Sequence, residues 1–305
     1  MSKLFRTIKR AGKEFSDDDM ATYAAAVSYQ VFFSLFPFII FILALLGFLN
    51  LQPVFDFILE QANTVMPSSA QSMISDIVSQ VKGQASGGVM SFGVILALWS
   101  ASSAVRMAMH ALNIAYDVED RPVWKKLPLS VLYALILAAL LIVSAGLLFA
   151  GPSLVEPIFN AVGLGSLVSL LTTLWAYLRI PVALLLLMLA VSLIYWLFPN
   201  VAGHRFRFVT PGAIIAVIVW ILASLGFSYY VANFSSYSQT YGAMASVIIL
   251  LLYFFISTII LLFGAEINSE TYRVVEGEDA IRSVEEEKGR TSKQSSSQDS
   301  SEEEG

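Results

Sequence analysis

The chain has 305 residues, 57% of them hydrophobic and 13% charged, with a formal net charge of −5 and a mean hydropathy of +0.72. An ordinary soluble domain carries about 25% charged residues, and half that share leaves too few polar groups to face water on all sides. These totals exclude a soluble enzyme of common type, a disordered chain and a nucleic-acid-binding domain with a basic face, and they predict an all-α polytopic membrane protein.

In chain order, residues 3–15 predict a basic amphipathic helix. At 100° per residue Lys3, Arg6, Lys9, Arg10 and Lys13 share one face, and Leu4, Phe5, Ile8, Ala11 and Phe15 the other. Such a helix either lies on an anionic leaflet or sets the orientation of the first span, and both roles are compatible. Ser16 followed by Asp17, Asp18 and Asp19 predicts a helix start, with Ser16 as cap and carboxylates in the first turn. The N-terminal stretch has no apolar core like that of a signal peptide.

A helix crosses the ~30 Å hydrocarbon core with about 20 apolar residues. Six stretches qualify: Ala24–Leu49, Gly88–Met109, Leu127–Ala150, Ile180–Phe198, Val209–Val231 and Ala243–Ile267. The fourth is preceded by apolar sequence from Ser166, interrupted at Arg179-Ile180-Pro181, which predicts a lead-in helix along the outer interface. The Asn50–Gly87 connection predicts two short amphipathic helices, after Pro53 and after Pro67, that either cover an outer cavity or form a structural hairpin. The organisation is therefore a basic helix over residues 1–19, a membrane domain over 20–272, and a disordered, acidic Ser/Glu-rich tail over 273–305.

Sixteen of the 18 basic residues fall on alternate connections. By the positive-inside rule these connections and both termini are cytoplasmic. Tyr195, Trp196, Tyr229 and Tyr230 stand at span ends, as interfacial or as core aromatics.

The chain has no cysteine, so thiolate chemistry and Cys-ligated metals are excluded. No P-loop, HExxH or G-x-S-x-G is present, and no cofactor is implied. Asp117, Glu119 and Asp120 read as a solvated turn rather than a metal site. No ionisable residue occupies the centre of a span, which argues against an ion-coupled pump. The charges sit at the mouths. Arg106, His110, Asn113 and Asp117 are spaced to share one stripe of a helix leaving the membrane, and Glu266 and Asn268 lie at similar depth on span six. Arg106 and Glu266 are an expected pair. The pair either locks two spans together or handles an acidic lipid head group. In span one Pro37 should kink the helix, with Tyr29, Gln30 and Ser34 on the cytoplasmic side of the kink; Gln30 and Ser34 are placed to line a polar groove.

Four segments in series resemble the YihY/BrkB family of bacterial inner-membrane proteins. They are Ala24-Ala25-Ala26-Val27-Ser28-Tyr29-Gln30 running to Pro37; Ala111-Leu112-Asn113-Ile114-Ala115-Tyr116-Asp117-Val118 with Arg121-Pro122; Phe198-Pro199-Asn200 with Pro211-Gly212-Ala213; and Tyr241-Gly242-Ala243 with Gly264-Ala265-Glu266-Ile267-Asn268. The resemblance covers about residues 15–270. It implies six spans in the cytoplasmic membrane. It also implies that an old ribonuclease BN label is a misassignment, in line with the missing nuclease site. Links of other members to serum resistance and to export of lipid-like precursors make a carrier or flippase of an anionic amphiphile the leading expectation. The alternative is a non-transporting scaffold or envelope-stress factor. Expected partners are membrane lipids, with a second copy or an envelope protein as further possibilities, and no nucleic acid.

Overall fold

The computed structural model describes residues 3–48, 87–161, 168–201, 206–232, 244–245 and 247–273. Every regular element among them is a helix: α1 Lys3–Asp17, α2 Met20–Phe48, α3 Gly87–Ala115, α4 Val123–Ala161, α5 Val168–Leu197, α6 Pro211–Ala232 and α7 Val247–Arg273. Five of these, α3 to α7, are long and apolar enough to cross a membrane. α2 has 29 residues, about 43 Å at 1.5 Å per residue, against a hydrocarbon core of about 30 Å. The six-span expectation is consistent with this set. The Asn50–Gly87 hairpin, the Tyr241-Gly242 opening of span six and the acidic tail lie outside the described residues.

Contacts between side chains bring together the start of α2, the end of α3, the start of α4, the end of α5, the start of α6 and the end of α7. The buried core lies at this basic end of the bundle. Small residues make that packing possible. Ala97, Ala104, Ala108, Ala111 and Ala115 are buried along α3 at spacings of seven, four, three and four, one face of the helix. Against them lie Met20, Ala24 and Val27 of α2, and the two helices are in extensive contact. Lipid tails are as apolar as the core, so close backbone approach, not hydrophobic burial, holds such helices together. Ser103 Oγ adds a polar tie, donating to Gln30 Oε1 at 3.2 Å.

α6 and α7 approach closely at Gly212 and Gly264. A Cβ at Gly212 would run into the Gly264 carbonyl oxygen, and one at Gly264 into the Tyr195 hydroxyl. The start of α6 is well capped. Thr210 Oγ1 accepts from Ala213 N at 3.2 Å, Pro211 occupies the first helical position, and Asn268 Oδ1 accepts from Gly212 N at 2.8 Å. Tyr195 is buried and donates to the Leu261 carbonyl at 2.7 Å. It is a core residue and not an interfacial one, whereas Trp196 and Tyr229 remain exposed.

Four expectations need correction. The residues before Pro181 do not form a separate lead-in helix, because α5 runs unbroken through Pro181; prolines are tolerated in spanning helices where neighbours and local adjustments satisfy the freed backbone groups. α4 continues past Ala150 to Ala161. Ser16 is not a cap, because α1 extends through Asp17. The turn is made by Asp19 at φ 51°, and Thr22 N then donates to the Asp19 carbonyl at 3.0 Å to open α2. Asp117 is not on the stripe of α3. That helix ends at Ala115, and Asp117 takes a left-handed φ of 48°. Asp117 N donates to Ile114 O and Val118 N to Asn113 O, both at 2.9 Å, the paired closure of a Schellman turn.

Candidate functional site

The loop 116–122 between α3 and α4 is a largely exposed turn, and Asp120 ties it back to the bundle. Its Oδ2 lies 2.8 Å from His110 Nδ1 and accepts from Lys126 Nζ at 2.8 Å. Its Oδ1 accepts from Asn113 Nδ2 at 2.5 Å. Burial alone would raise the Asp120 carboxyl, but the hydrogen bonds from Lys126, Asn113 and His110 outweigh it and hold the group below the usual carboxylate range. Asn113, itself buried, accepts from Asn200 N at 2.8 Å. Asn200 Nδ2 in turn donates to the Glu119 carbonyl at 3.0 Å. Arg121 closes the ring: its guanidinium donates to Phe198 O at 2.6 Å and Pro199 O at 2.7 Å. A cation there suits the C-terminus of α5, where carbonyls are left without helical partners.

Above this ring a cavity of about 460 Å³ opens between α2, α3 and α4. Its polar lining is Gln30, Ser103, Arg106, His110, Asp120 and Lys126. A second cavity of about 310 Å³ runs along α3 and α4, lined by Ile95, Leu98, Trp99, Ser102, Leu127, Pro128, Val131 and again Arg106. Arg106 thus borders both. Its guanidinium donates to Ser102 Oγ at 2.8 Å and Ser130 Oγ at 3.3 Å and sits 5.6 Å from the centre of the Trp99 ring.

Arg106 does not pair with Glu266. Its hydrogen bonds end on two serines, whereas Glu266 is buried, 1% exposed, on α7. There its electrostatic neighbours are the carboxyls of Asp18, Glu14 and Glu270. Asn268 caps α6 and does not line the Arg106 cavity. The expected set therefore divides: Arg106 and His110 line the cavity, Asn113 props Asp120, and Glu266 and Asn268 belong to the α6–α7 side. On α2, Gln30 reaches the cavity, whereas Ser34 Oγ turns back to its own Val31 carbonyl at 2.7 Å. Tyr29 faces outward with its ring 4.5 Å from that of Phe33. α2 continues through Pro37 without a break in the helix.

The apolar face of α1 docks on the bundle: Ala11 is buried and Phe15 packs edge-on to Phe263 of α7 at 5.9 Å. On the basic face, Arg10 comes within 4.0 Å of Glu270. Lys9 and Arg6 stay exposed, as does Lys13, which pairs with Asp17 at 3.4 Å. The side chain of Lys3 is outside the described residues. Among the described residues, no group of three or more His, Asp or Glu side chains is arranged to hold a metal ion.

Residues that motif reading passed over carry much of this arrangement. Asp120, Asn200, Arg121, Ser102 and Ser130 were legible only as a turn, a Phe-Pro-Asn segment and helix serines.

The profile of the family described as virulence factor BrkB matches residues 11–288. The chain belongs to that family. The BrkB-family chain is 36% identical over 253 residues to YfkH of Bacillus subtilis, which is named ribonuclease-like; the match covers 81% of this chain and 88% of YfkH. A UPF0761 membrane protein of Alteromonas mediterranea is 41% identical over 103 residues, 32% of this chain and 34% of that protein. Another, of Mannheimia succiniciproducens, is 41% identical over 88 residues, 29% and 30% respectively. No solved structure matches. With the family, these relatives and five apolar helices of spanning length, the chain is a multi-pass bacterial membrane protein.

Proposed function

We propose that this BrkB-family protein is a non-enzymatic carrier or flippase for an anionic amphiphile of the membrane, with both termini in the cytoplasm. The observation that carries this reading is Arg106. It lies in a spanning helix, its guanidinium meets two serine hydroxyls and, among the described residues, no carboxylate, and it borders a cavity of about 460 Å³. A charge in that position is costly unless something compensates it. An anionic head group would do so while its hydrocarbon stays in the bilayer, which removes the need for charges at mid-span. The Asp120 ring would hold the cavity wall in place during the exchange.

The test is exchange of a fluorescent phosphatidylglycerol between leaflets of proteoliposomes. The expected result is exchange well above that of protein-free vesicles. Equality with protein-free vesicles across phosphatidylglycerol, phosphatidylethanolamine and cardiolipin would remove the transport reading.

A further inference from the structure

We infer that the two cavities meeting at Arg106 form one seat for an anionic phospholipid, with its head in the α2–α3–α4 cavity and one hydrocarbon chain in the α3–α4 groove. This rests on the amphiphile reading above and names the ligand class and the route by which it enters.

Three observations converge. The first is charge. In the head cavity Asp120 is met by both Lys126 and His110 at 2.8 Å, so among the described residues the cation there without a carboxylate partner is Arg106. A phosphodiester with no cation on the same head group matches that remainder with its single negative charge, and its two free oxygens match the guanidinium fork. The second is polarity. The groove beyond Arg106 is apolar apart from Ser102, whose hydroxyl donates to the Trp99 carbonyl at 2.9 Å. It therefore offers no group that a polar ligand needs, and it suits a chain. The third is access. Ile95 and Trp99 at the groove are 67% and 63% exposed, within a helix of spanning length. The groove is open sideways, toward lipid. A lipid could slide in from the bilayer with its head leading and without passing through water. The Trp99 ring, already against Arg106, stands where head and chain would join.

The experiment is native mass spectrometry and thermal melting of the full chain in detergent, with three probes at equal concentration: phosphatidylglycerol, phosphatidylcholine and glycerol 3-phosphate. Phosphatidylglycerol is expected to remain bound and raise the melting temperature. Phosphatidylcholine is expected to do so at least fivefold less, and glycerol 3-phosphate at least tenfold less. Arg106→Gln should reduce phosphatidylglycerol retention at least tenfold. Val131→Trp, which fills the groove from α4 without touching the head cavity, should reduce it at least fivefold, and so covers the case in which the arginine variant does not fold. Undiminished retention in either variant overturns the inference. An equal shift with glycerol 3-phosphate would make this a site for soluble phosphates, and equal retention of phosphatidylcholine would make it a groove without charge selection; each overturns it too. Retention that follows these expectations in a protein that moves no lipid between leaflets would leave this seat standing and remove only the transport reading.

Discussion

At the scale of single residues, Asp120 decides the shape of the α3–α4 connection. Asp120→Ala would leave the buried Asn113 amide without its acceptor and Lys126 without its anion. The expected cost is about 1–2 kcal/mol, the lower part of the range for a lost buried partner because Asp120 is itself partly in solvent. Thermal melting in detergent measures it, and Lys125→Ala, in the same turn, serves as the unaffected control. The pH dependence has a definite sign. A carboxyl held below its ordinary value stabilises the fold above the unfolded value of about 3.9 and loses that contribution as the pH falls through the depressed one. The Asp120→Ala penalty should therefore be full at pH 7 and shrink as the pH falls below the unfolded value of about 3.9. A penalty that grows on acidification would contradict the assignment.

At the scale of elements, two contacts are exposed to test. α6 and α7 meet through glycine, so Gly264→Ala must push against the Tyr195 hydroxyl, the Gly212 carbonyl and the Ala216 methyl. Overpacking of this kind costs about 1–3 kcal/mol, while Gly226→Ala, where a Cβ meets nothing within 4 Å, should be neutral or slightly stabilising. The docking of α1 should respond to Asp18. Burial and then Glu14 raise its carboxyl, against the pull of Arg273. A raised carboxyl favours the docked state at low pH, and that contribution is lost as the pH rises through the raised value. Asp18→Asn should thus slow hydrogen exchange of residues 3–17 at pH 8 and change it little at pH 4. Element positions were largely legible, since hydrophobic runs of 20 or more residues dominate the sequence. Element ends were not. The α1–α2 turn depends on Asp19 in a left-handed conformation, and the end of α3 on Asp117 in another. Asp19 is of the same type as Asp17 and Asp18 before it, and Asp117 is one of three acidic residues in Asp117-Val118-Glu119-Asp120.

At the scale of the whole molecule, charge is sorted by position. The ring of Asp120, Asn113, Asn200 and Arg121 joins the α3–α4 and α5–α6 connections to the end of α3, and Arg106 stands just inside it. That Arg106 lies at a span mouth could be read from spacing alone. That it would turn to Ser102 and Ser130 rather than Glu266 could not, because partner choice depends on how α4 and α7 flank α3, and spacing along one helix carries no such information. The absence of cysteine makes the orientation directly testable. Lys13→Cys and Lys125→Cys should both resist an impermeant maleimide in intact cells and react after permeabilisation. Labelling of one in intact cells would place the ends of α1 and α4 on opposite sides. The claim at the centre is that Arg106 receives the head group of an amphiphile that the protein moves. The most direct measurement is the initial rate of fluorescent phosphatidylglycerol exchange in proteoliposomes, compared between the unaltered chain and Arg106→Gln reconstituted at equal density. The expected result is fast exchange that falls at least tenfold in the variant. Equal rates for the two proteins would contradict the account.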